Sequence, residues 1–177
     1  MLPLSGVAGS LLHGLQRSCG LEIVSSHHKL FPDGEQYIRI LSEVRDKDVI
    51  VAQSMYPNQD NKVVELYLAI EALQGLQASV STVLIPYMAY ARQDKRFLSG
   101  EPISIKAIYA PLHLFNVRRL VAVDTHSQDV STLVGIEVVN ILPHAYMIKR
   151  AGINVDFVLS PDRGALHRAE NVAKAFG

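Results

Sequence analysis

The sequence has only one cysteine, Cys19, so an internal disulfide framework is excluded. A chain without disulfides is typical of a reducing compartment, and we expect the protein to be cytoplasmic. An excess of one charge is also lacking, since 17 Lys and Arg residues balance 17 Asp and Glu residues. This balance gives no reason to expect nucleic acid or an anionic membrane as a partner, and any anion site must be local.

Long apolar segments are absent as well. No stretch reaches the roughly 18 consecutive apolar residues that a transmembrane helix needs, and residues 1–20 have no basic region of the kind that begins a signal peptide. None of the seven histidines falls in a His-x-x-x-His or Cys-His zinc pattern. The sequence therefore predicts neither a membrane span nor a structural zinc site.

Short segments rich in β-branched residues recur along the chain and predict strands. They cover residues 21–25, 37–40, 49–54, 80–86, 118–124 and 155–161. Apolar periodicity predicts helices over residues 60–77, 103–115, 144–150 and 164–176. Pro111 must kink or split the second of these helices.

This alternation of strands and helices favours an α/β fold with a mostly parallel, Rossmann-like sheet flanked by helices, because parallel neighbours need a crossover connection. The segment FPDGEQYIRI, residues 31–40, predicts a small flag or hairpin ahead of the main sheet.

Polar residues follow three of the predicted strands at their carboxyl ends, which is where ligands bind in doubly wound folds. The first group lies in residues 87–97, the second is Asp124 and His126, and the third is Ser160 and Asp162. Strands that deliver ionisable groups to one edge of a sheet can build a single site.

Residues 92–96 form a dense polar run, Arg-Gln-Asp-Lys-Arg. The guanidinium fork of Arg92 suits phosphate oxygens, and the amide of Gln93 can donate and accept at a base or a ribose. Taken alone, these residues are equally well interpreted as a solvated loop.

One residue separates Asp124 from His126, so in an extended segment their side chains would point the same way. A carboxylate and an imidazole on one side can orient a divalent ion, and Mg²⁺ bound with ATP usually keeps several waters and few protein ligands. Alternatively, Asp124 caps a helix and His126 packs a turn, and the two residues alone slightly favour this interpretation.

Two further segments have turn chemistry. FPDGE, residues 31–35, is first of all a turn, although its ring and two carboxylates can also stack on a base and accept hydrogen bonds. In SPDRGA, residues 160–165, a predicted strand ends at a helix start, where free amides favour an anion or a side-chain cap. Asp162 can be that cap.

In their order along the chain, these segments resemble the ribose-phosphate pyrophosphokinase (phosphoribosyl pyrophosphate synthetase) family, and the chain matches its amino-terminal half. The matching elements are LSG near the start, FPDGE at 31–35, YARQDK at 90–95, GEPIS at 100–104, VDTHSQ at 123–128 and SPDRGA at 160–165. One such match would be weak, but this many in order are highly specific.

The resemblance implies transfer of the diphosphoryl group of Mg-ATP to the 1-hydroxyl of ribose 5-phosphate, with release of AMP. It implies a phosphoribosyltransferase-like fold in two similar domains, here residues 1–150 and the truncated start of a second domain at residues 151–177. It also implies a homo-oligomer, either a dimer or a hexamer, with Mg²⁺ as the cofactor.

The resemblance further assigns site residues. ATP binding is assigned to Arg92, Gln93 and Asp94 and, from a neighbouring subunit, to Phe31, Asp33, Gly34 and Glu35. The metal is assigned to His126, Asp162 and Asp124.

The sequence departs from the family pattern in several places. It has neither the flexible loop with the catalytic Lys-x-Arg pair nor the Asp-Asp-rich, Thr-Gly-Gly loop that binds ribose 5-phosphate, so no catalytic residue is assigned. Gly135 and Val139 stand where some relatives have acidic residues linked to metal or regulatory phosphate, and Ala165 stands where Gly is frequent. We therefore expect this chain alone to be inactive.

A second hypothesis is a non-catalytic regulatory subunit that associates with an active synthetase. A plain phosphoribosyltransferase is disfavoured, because the ribose-phosphate loop that defines that class is absent.

Overall fold

The computed structural model describes residues 1–126 and 129–177. Ser127 and Gln128, the last two residues of the VDTHSQ segment, lie outside the described residues. The chain divides into two compact units, Met1–Val139 and Asn140–Gly177. The domain boundary expected after residue 150 stays a prediction.

The described residues form strands, α-helices and two short 3-10 helices. The strands are β1 (Leu2–Pro3), β2 (Ser26–Leu30), β3 (Gln36–Ile40), β4 (Val51–Ala52), β5 (Thr82–Ile85), β6 (Arg119–Val123) and β7 (Glu137–Ile141). The α-helices are α1 (Gly9–Cys19), α2 (Gln59–Gly75), α3 (Ser104–Tyr109), α4 (Val130–Val134), α5 (His144–Arg150) and α6 (Leu166–Phe176). The 3-10 helices cover Ala110–Phe115 and Arg163–Ala165.

The main sheet contains five strands in the order β1-β4-β5-β6-β7. The strand β1 pairs with β4, β4 with β5, and β5 with β6, all in parallel. The register places Val51 beside Leu2 on one side and beside Val83 on the other, and all three side chains are fully buried. Such burial is expected where both faces of a parallel sheet are covered. The predicted α/β fold with a mostly parallel sheet is confirmed.

The helix α2 corresponds to the helix predicted over residues 60–77. Its buried residues include Val63, Leu66, Ile70 and Leu73, which recur at three- and four-residue steps and join the core. The helix α5 has the predicted bounds. Among the described residues, no helix is long and apolar enough to span a membrane.

The helix predicted over residues 103–115 is split at its proline. The α-helical part ends at Tyr109, and a 3-10 helix continues from Ala110 to Phe115. The split lies beside Pro111, which has no N–H with which to continue the α-helical hydrogen bonds.

Two predicted strands are wrong. Residues 21–25 form no strand, and β2 begins only at Ser26, because Ser26 pairs with Ile40, the last residue of β3. Residues 155–161 also form no strand, and Phe157 and Leu159 are 89% and 90% exposed. After Ile141 the described second unit contains only helical elements, so it offers this segment no strand with which to pair.

The predicted hairpin is confirmed. The strands β2 and β3 pair in antiparallel fashion outside the main sheet, and Leu30 lies opposite Gln36 at the turn. Within the turn the Phe31 amide donates to the Glu35 carbonyl at 2.7 Å, and Gly34 has a φ of +94°. Glycine adopts this backbone conformation without the steric penalty that a Cβ would bring.

The carboxylate of Glu65, a residue that is only 3% exposed, connects four segments of the fold. It accepts hydrogen bonds from the Ser5 amide at 3.1 Å and from the Ser5 hydroxyl, both in the loop after β1. Gln53, which follows β4, donates to it at 2.7 Å. His28 Nδ1 on the hairpin lies 3.0 Å from Oε1, and Lys62 Nζ lies 3.8 Å from Oε2. Because a buried carboxylate is costly unless it is paired, these contacts fix the three segments against α2.

The loop after β1 has no room for a side chain at Gly6. A Cβ at this position would lie 2.9 Å from the backbone oxygen of Ser54, and its φ is +92°. Glycine therefore allows the LSG segment to approach the segment after β4 this closely.

The carboxylate of Asp48 links the segment before β4 to the segment before β5. It accepts hydrogen bonds from the Ser79 hydroxyl at 3.1 Å, from the Ser81 amide at 2.9 Å and from the Ser81 hydroxyl. Burial raises the pKa of Asp48, but the hydrogen bonds from Ser81 and Ser79 and the charge of Arg118 together outweigh burial and hold the pKa below its ordinary value of 3.8.

Replacing Glu65 with alanine should lower the free energy of unfolding by roughly 3 kcal/mol, because Lys62 and the Ser5 amide lose their buried acceptor. Urea unfolding followed by circular dichroism measures this change. Glu71→Ala is the matched control, since it removes an exposed carboxylate from the same helix, and it should change stability by less than about 0.5 kcal/mol. Equal effects of the two substitutions would contradict the role of Glu65.

Asp48→Asn should lower stability near neutral pH by about 1 kcal/mol, the usual contribution of a hydrogen bond. Because the folded pKa is lowered, the stabilisation is present above the unfolded pKa and is lost as the pH falls through the folded pKa. The difference in urea midpoint between the wild type and the variant should therefore shrink at acid pH. A difference that stays constant into strong acid would show that the Asp48 charge contributes nothing.

Candidate functional site

The carboxyl ends of β1, β4, β5 and β6 lie at one edge of the main sheet, because these neighbours run in parallel. Ser5 follows the first of these strands, Gln53 the second, Tyr87 the third and Asp124 the fourth. The Met55 amide donates to the Tyr87 carbonyl at 3.1 Å, so the segments after β4 and β5 remain side by side beyond the strands themselves. The structure thus brings polar segments from distant parts of the chain to a common edge.

The segment after β5 is held by two tyrosines. The buried Tyr109 donates from its hydroxyl to the Ala89 carbonyl at 3.1 Å, and burial raises its pKa. Tyr90 has a φ of +59° and donates to Asp60 on α2. That hydrogen bond raises the pKa of Tyr90, as do slight burial and the Asp60 charge. Both hydroxyls thus act as donors that anchor the start of the predicted ATP segment.

Gln93 joins the YARQDK and GEPIS segments. The Ser104 hydroxyl donates to its side-chain carbonyl oxygen at 2.5 Å, and the Ile105 amide lies 3.4 Å from its backbone oxygen. This contact fixes the orientation of the Gln93 amide, so its NH₂ group faces away from Ser104 and can donate to a ligand.

Arg92 and Arg96 differ in their surroundings. Arg96 donates from Nε to the Glu101 backbone oxygen at 3.0 Å, and the Glu101 carboxylate accepts from the amides of Phe97 and Leu98 at 2.8 and 2.9 Å. Arg96 therefore belongs to a locally closed loop. Arg92 is exposed, and within the described residues its guanidinium has neither an ion pair nor a side-chain hydrogen bond. Arg92 is thus the arginine that remains available for a phosphate.

The FPDGE turn presents its functional groups on the surface. Phe31 packs edge-on against Tyr37 with ring centroids 5.9 Å apart, and Lys29 Nζ lies 4.5 Å from the Phe31 centroid. Asp33 accepts from the Glu35 amide at 3.1 Å through one carboxylate oxygen. The residues that form this turn are therefore also the residues proposed to bind ATP.

Asp124 does not have the extended backbone that the sequence argument assumed. Its φ is +49°, which is the left-handed region, while Thr125 is buried and His126 is exposed. The expectation that alternation alone aligns Asp124 with His126 is wrong, because alternation requires extended residues. Their assignment to a metal stays a prediction.

Asp162 lies in the second unit and caps a short helix. Its carboxylate accepts from the Ala165 amide at 2.9 Å at the start of the 3-10 helix. The Ser160 hydroxyl donates to the Asp162 backbone oxygen at 2.6 Å. The capping interpretation of Asp162 is confirmed, and its assignment to a metal stays a prediction.

Several residues that position the candidate site could not be predicted from the sequence. Ser5, Gln53 and Glu65 hold the loops at the sheet edge, and Asp60 anchors Tyr90. The LSG segment is marked in the sequence only by the family resemblance. Glu65 lies on α2 next to the apolar stripe, where a charged residue usually faces solvent, so no local signal marks it.

Comparisons with known proteins agree with this geometry. The sequence profile of the N-terminal domain of ribose phosphate pyrophosphokinase matches residues 7–114. The ribose-phosphate pyrophosphokinase of Sulfurisphaera tokodaii is 36% identical over 177 residues, which cover 98% of this chain and 61% of that protein. The enzyme of the same name from Pyrococcus furiosus is 39% identical over 153 residues, which cover 84% of this chain and 53% of that protein.

A solved structure shows the same fold. The crystal structure of phosphoribosylpyrophosphate synthetase from Mycobacterium smegmatis superposes with a TM-score of 0.88 at 26% identity, over 100% of this chain and 61% of that one. The chain therefore spans between 53% and 61% of the length of these relatives. The domain profile, the relatives and the shared fold together show that this chain belongs to the ribose-phosphate pyrophosphokinase family.

Proposed function

We propose that this chain forms the ATP-binding part of a ribose-phosphate diphosphokinase. That reaction transfers the β,γ-diphosphoryl group of Mg-ATP to the 1-hydroxyl of ribose 5-phosphate and gives phosphoribosyl pyrophosphate and AMP. The observation that supports the proposal best is the segment that follows β5 at the common sheet edge, in which Arg92 is exposed and the Ser104 hydroxyl donates to Gln93 at 2.5 Å. Transfer at phosphorus depends on positioning and charge neutralisation more than on covalent chemistry, which suits such a site.

Arg92, Gln93 and Asp94 are the residues that we assign to ATP within one chain. The guanidinium of Arg92 can place two parallel N–H donors on phosphate oxygens. The NH₂ group of Gln93, which faces away from Ser104, can donate to the nucleotide. This part of the proposal rests on one donor that a contact within the chain orients, the Gln93 amide, and on one exposed cation, Arg92.

The FPDGE turn is proposed to serve the nucleotide of a neighbouring subunit. The exposed ring of Phe31 can stack on a base. The carboxylates of Asp33 and Glu35 can accept hydrogen bonds from amino or hydroxyl groups, and Gly34 forms the turn between them with a φ of +94°. A homo-oligomer, either a dimer or a hexamer, is part of the proposal, as is a cytoplasmic location.

The residues fit a magnesium ion that is held mainly by ATP. Among the described residues, no group of three or more His, Cys, Asp and Glu side chains is arranged to hold a metal. Mg²⁺ usually keeps several waters and takes few protein ligands beside the phosphates, so a complete cage is not required. Asp124 and His126 are proposed near that ion, and Asp162 is proposed separately as a metal-linked residue. When bound, Mg²⁺ neutralises phosphate charge.

We also propose that the chain does not complete the reaction alone. Its sequence contains neither a Lys-x-Arg pair in a flexible loop nor the Thr-Gly-Gly loop expected to hold ribose 5-phosphate. ATP can therefore bind without an acceptor held beside it. The proximity of ATP and acceptor, which supplies much of the rate enhancement in such transfers, is then missing.

Replacing Arg92 with alanine should weaken Mg-ATP binding by roughly 10- to 100-fold, because a hydrogen-bonded charge contributes about 1.5 to 3 kcal/mol. Isothermal titration calorimetry of the chain with Mg-ATP measures the affinity. Arg17→Ala is the matched control, since Arg17 is an exposed arginine on α1, and it should leave the affinity unchanged. Equal affinities of the two variants and the wild type would remove Arg92 from the ATP site.

A further inference from the structure

The hairpin has two faces of different character. Ser26, His28 and Ile38 face inward: His28 contacts Glu65 at 3.0 Å and Ser26 at 2.7 Å, and Ile38 packs against the core. The alternate residues face outward and line a surface concavity of about 310 Å³. This outer hairpin face consists of His27, Lys29, Tyr37, Arg39 and Leu41.

The outer hairpin face concentrates positive charge without an acidic residue in its lining. Register places His27 directly opposite Arg39 and Lys29 directly opposite Tyr37. Arg39 and Lys29 carry the positive charge of this face, one on each strand of the hairpin. The His27 and Tyr37 rings also contact each other edge-on, with centroids 6.2 Å apart, so these residues form one connected surface.

These cations also lack carboxylate partners. Within the described part of the chain, neither Lys29 nor Arg39 forms an ion pair or a side-chain hydrogen bond. Lys29 Nζ instead lies 4.5 Å from the Phe31 ring centroid and 5.0 Å from the Tyr37 centroid. The rings hold the ammonium group in place without neutralising it.

We propose that the outer hairpin face binds a compact anion that carries phosphoryl groups. Arg39 supplies a planar fork that matches phosphate oxygens, Lys29 supplies a point charge on the same face, and His27 supplies a further ring donor. Tyr37 lies between these donors and offers a hydroxyl. The absence of a carboxylate in the lining disfavours a cation or a neutral sugar as the ligand.

This site is distinct from the ATP-binding residues proposed at the sheet edge. Its residues belong to β2, β3 and the residue after β3, whereas Arg92 and Gln93 follow β5. The outer hairpin face does adjoin the FPDGE turn, because Lys29 and Tyr37 both contact the Phe31 ring. Its anion site requires neither Arg92 nor Gln93, so loss of pyrophosphate binding on the hairpin and loss of ATP binding at Arg92 are distinguishable results.

The test titrates the ¹⁵N-labelled chain with inorganic pyrophosphate and monitors the amide chemical shifts by NMR. A parallel titration with sodium chloride at equal ionic strength is the reference. We expect saturable shifts at His27, Lys29, Tyr37 and Arg39 that chloride does not reproduce. The double substitution Lys29→Gln, Arg39→Gln should weaken this binding at least tenfold, about 1.4 kcal/mol. Both side chains are exposed, and the amide spectrum itself shows whether the variant is folded.

The control double substitution Arg17→Gln, Lys106→Gln removes the same charge from exposed positions elsewhere and should leave hairpin binding unchanged. Arg92→Ala should also leave it unchanged. Shifts that do not saturate, that chloride reproduces, or that appear only around Arg92 would overturn the proposal. Shifts that grow with protein concentration in the absence of pyrophosphate would overturn it too, because they would identify the face as a contact between copies of the chain.

Discussion

The buried carboxylate of Glu65 is the interaction on which the arrangement of the candidate site depends. One side chain accepts from Ser5 after β1 and from Gln53 after β4, and it pairs with His28 on the hairpin. Burying a carboxylate is unfavourable unless its oxygens are satisfied, so the three segments must converge on α2 together. The close approach at Gly6, where a Cβ would meet the Ser54 oxygen at 2.9 Å, also brings the loop after β1 against the segment after β4. The sheet edge is therefore organised before any ligand binds.

This organisation suits a reaction that is governed by positioning. Two tyrosines anchor the segment after β5: Tyr109 donates to the Ala89 carbonyl, and Tyr90 donates to Asp60 on α2. The Ser104 hydroxyl orients Gln93. The contact with Ser104 satisfies the side-chain oxygen of Gln93 and leaves its NH₂ group available. Arg92 is available as well, since its guanidinium is exposed and has no ion pair in the described residues. An exposed cation on a segment that follows a strand of a parallel sheet is the kind of group that a polyphosphate requires.

Features with local causes could be predicted from the sequence, whereas features made by distant residues could not. The FPDGE turn, the hairpin, α2 and the split at Pro111 follow from turn chemistry, apolar periodicity and the missing proline N–H. Four elements were not predicted, namely β1, β7, α1 and α4. The strand β1 has two residues and α4 has five, which is too short for a periodic signal. The helix α1 contains glycines. The strand predicted at residues 155–161 failed because a strand also needs a neighbour. No local signal could show that Ser5, Gln53 and His28 meet at Glu65, or that Asp124 is left-handed.

The central claim is that this chain contains the ATP side of a diphosphotransferase and lacks the acceptor side. The most direct test incubates the chain with Mg-ATP and ribose 5-phosphate and measures both ATP binding, by calorimetry, and AMP formation, by chromatography. We predict saturable ATP binding with no AMP above the level found without protein. Clear production of AMP would contradict the missing acceptor side, and the absence of ATP binding would contradict the assignment of the sheet edge.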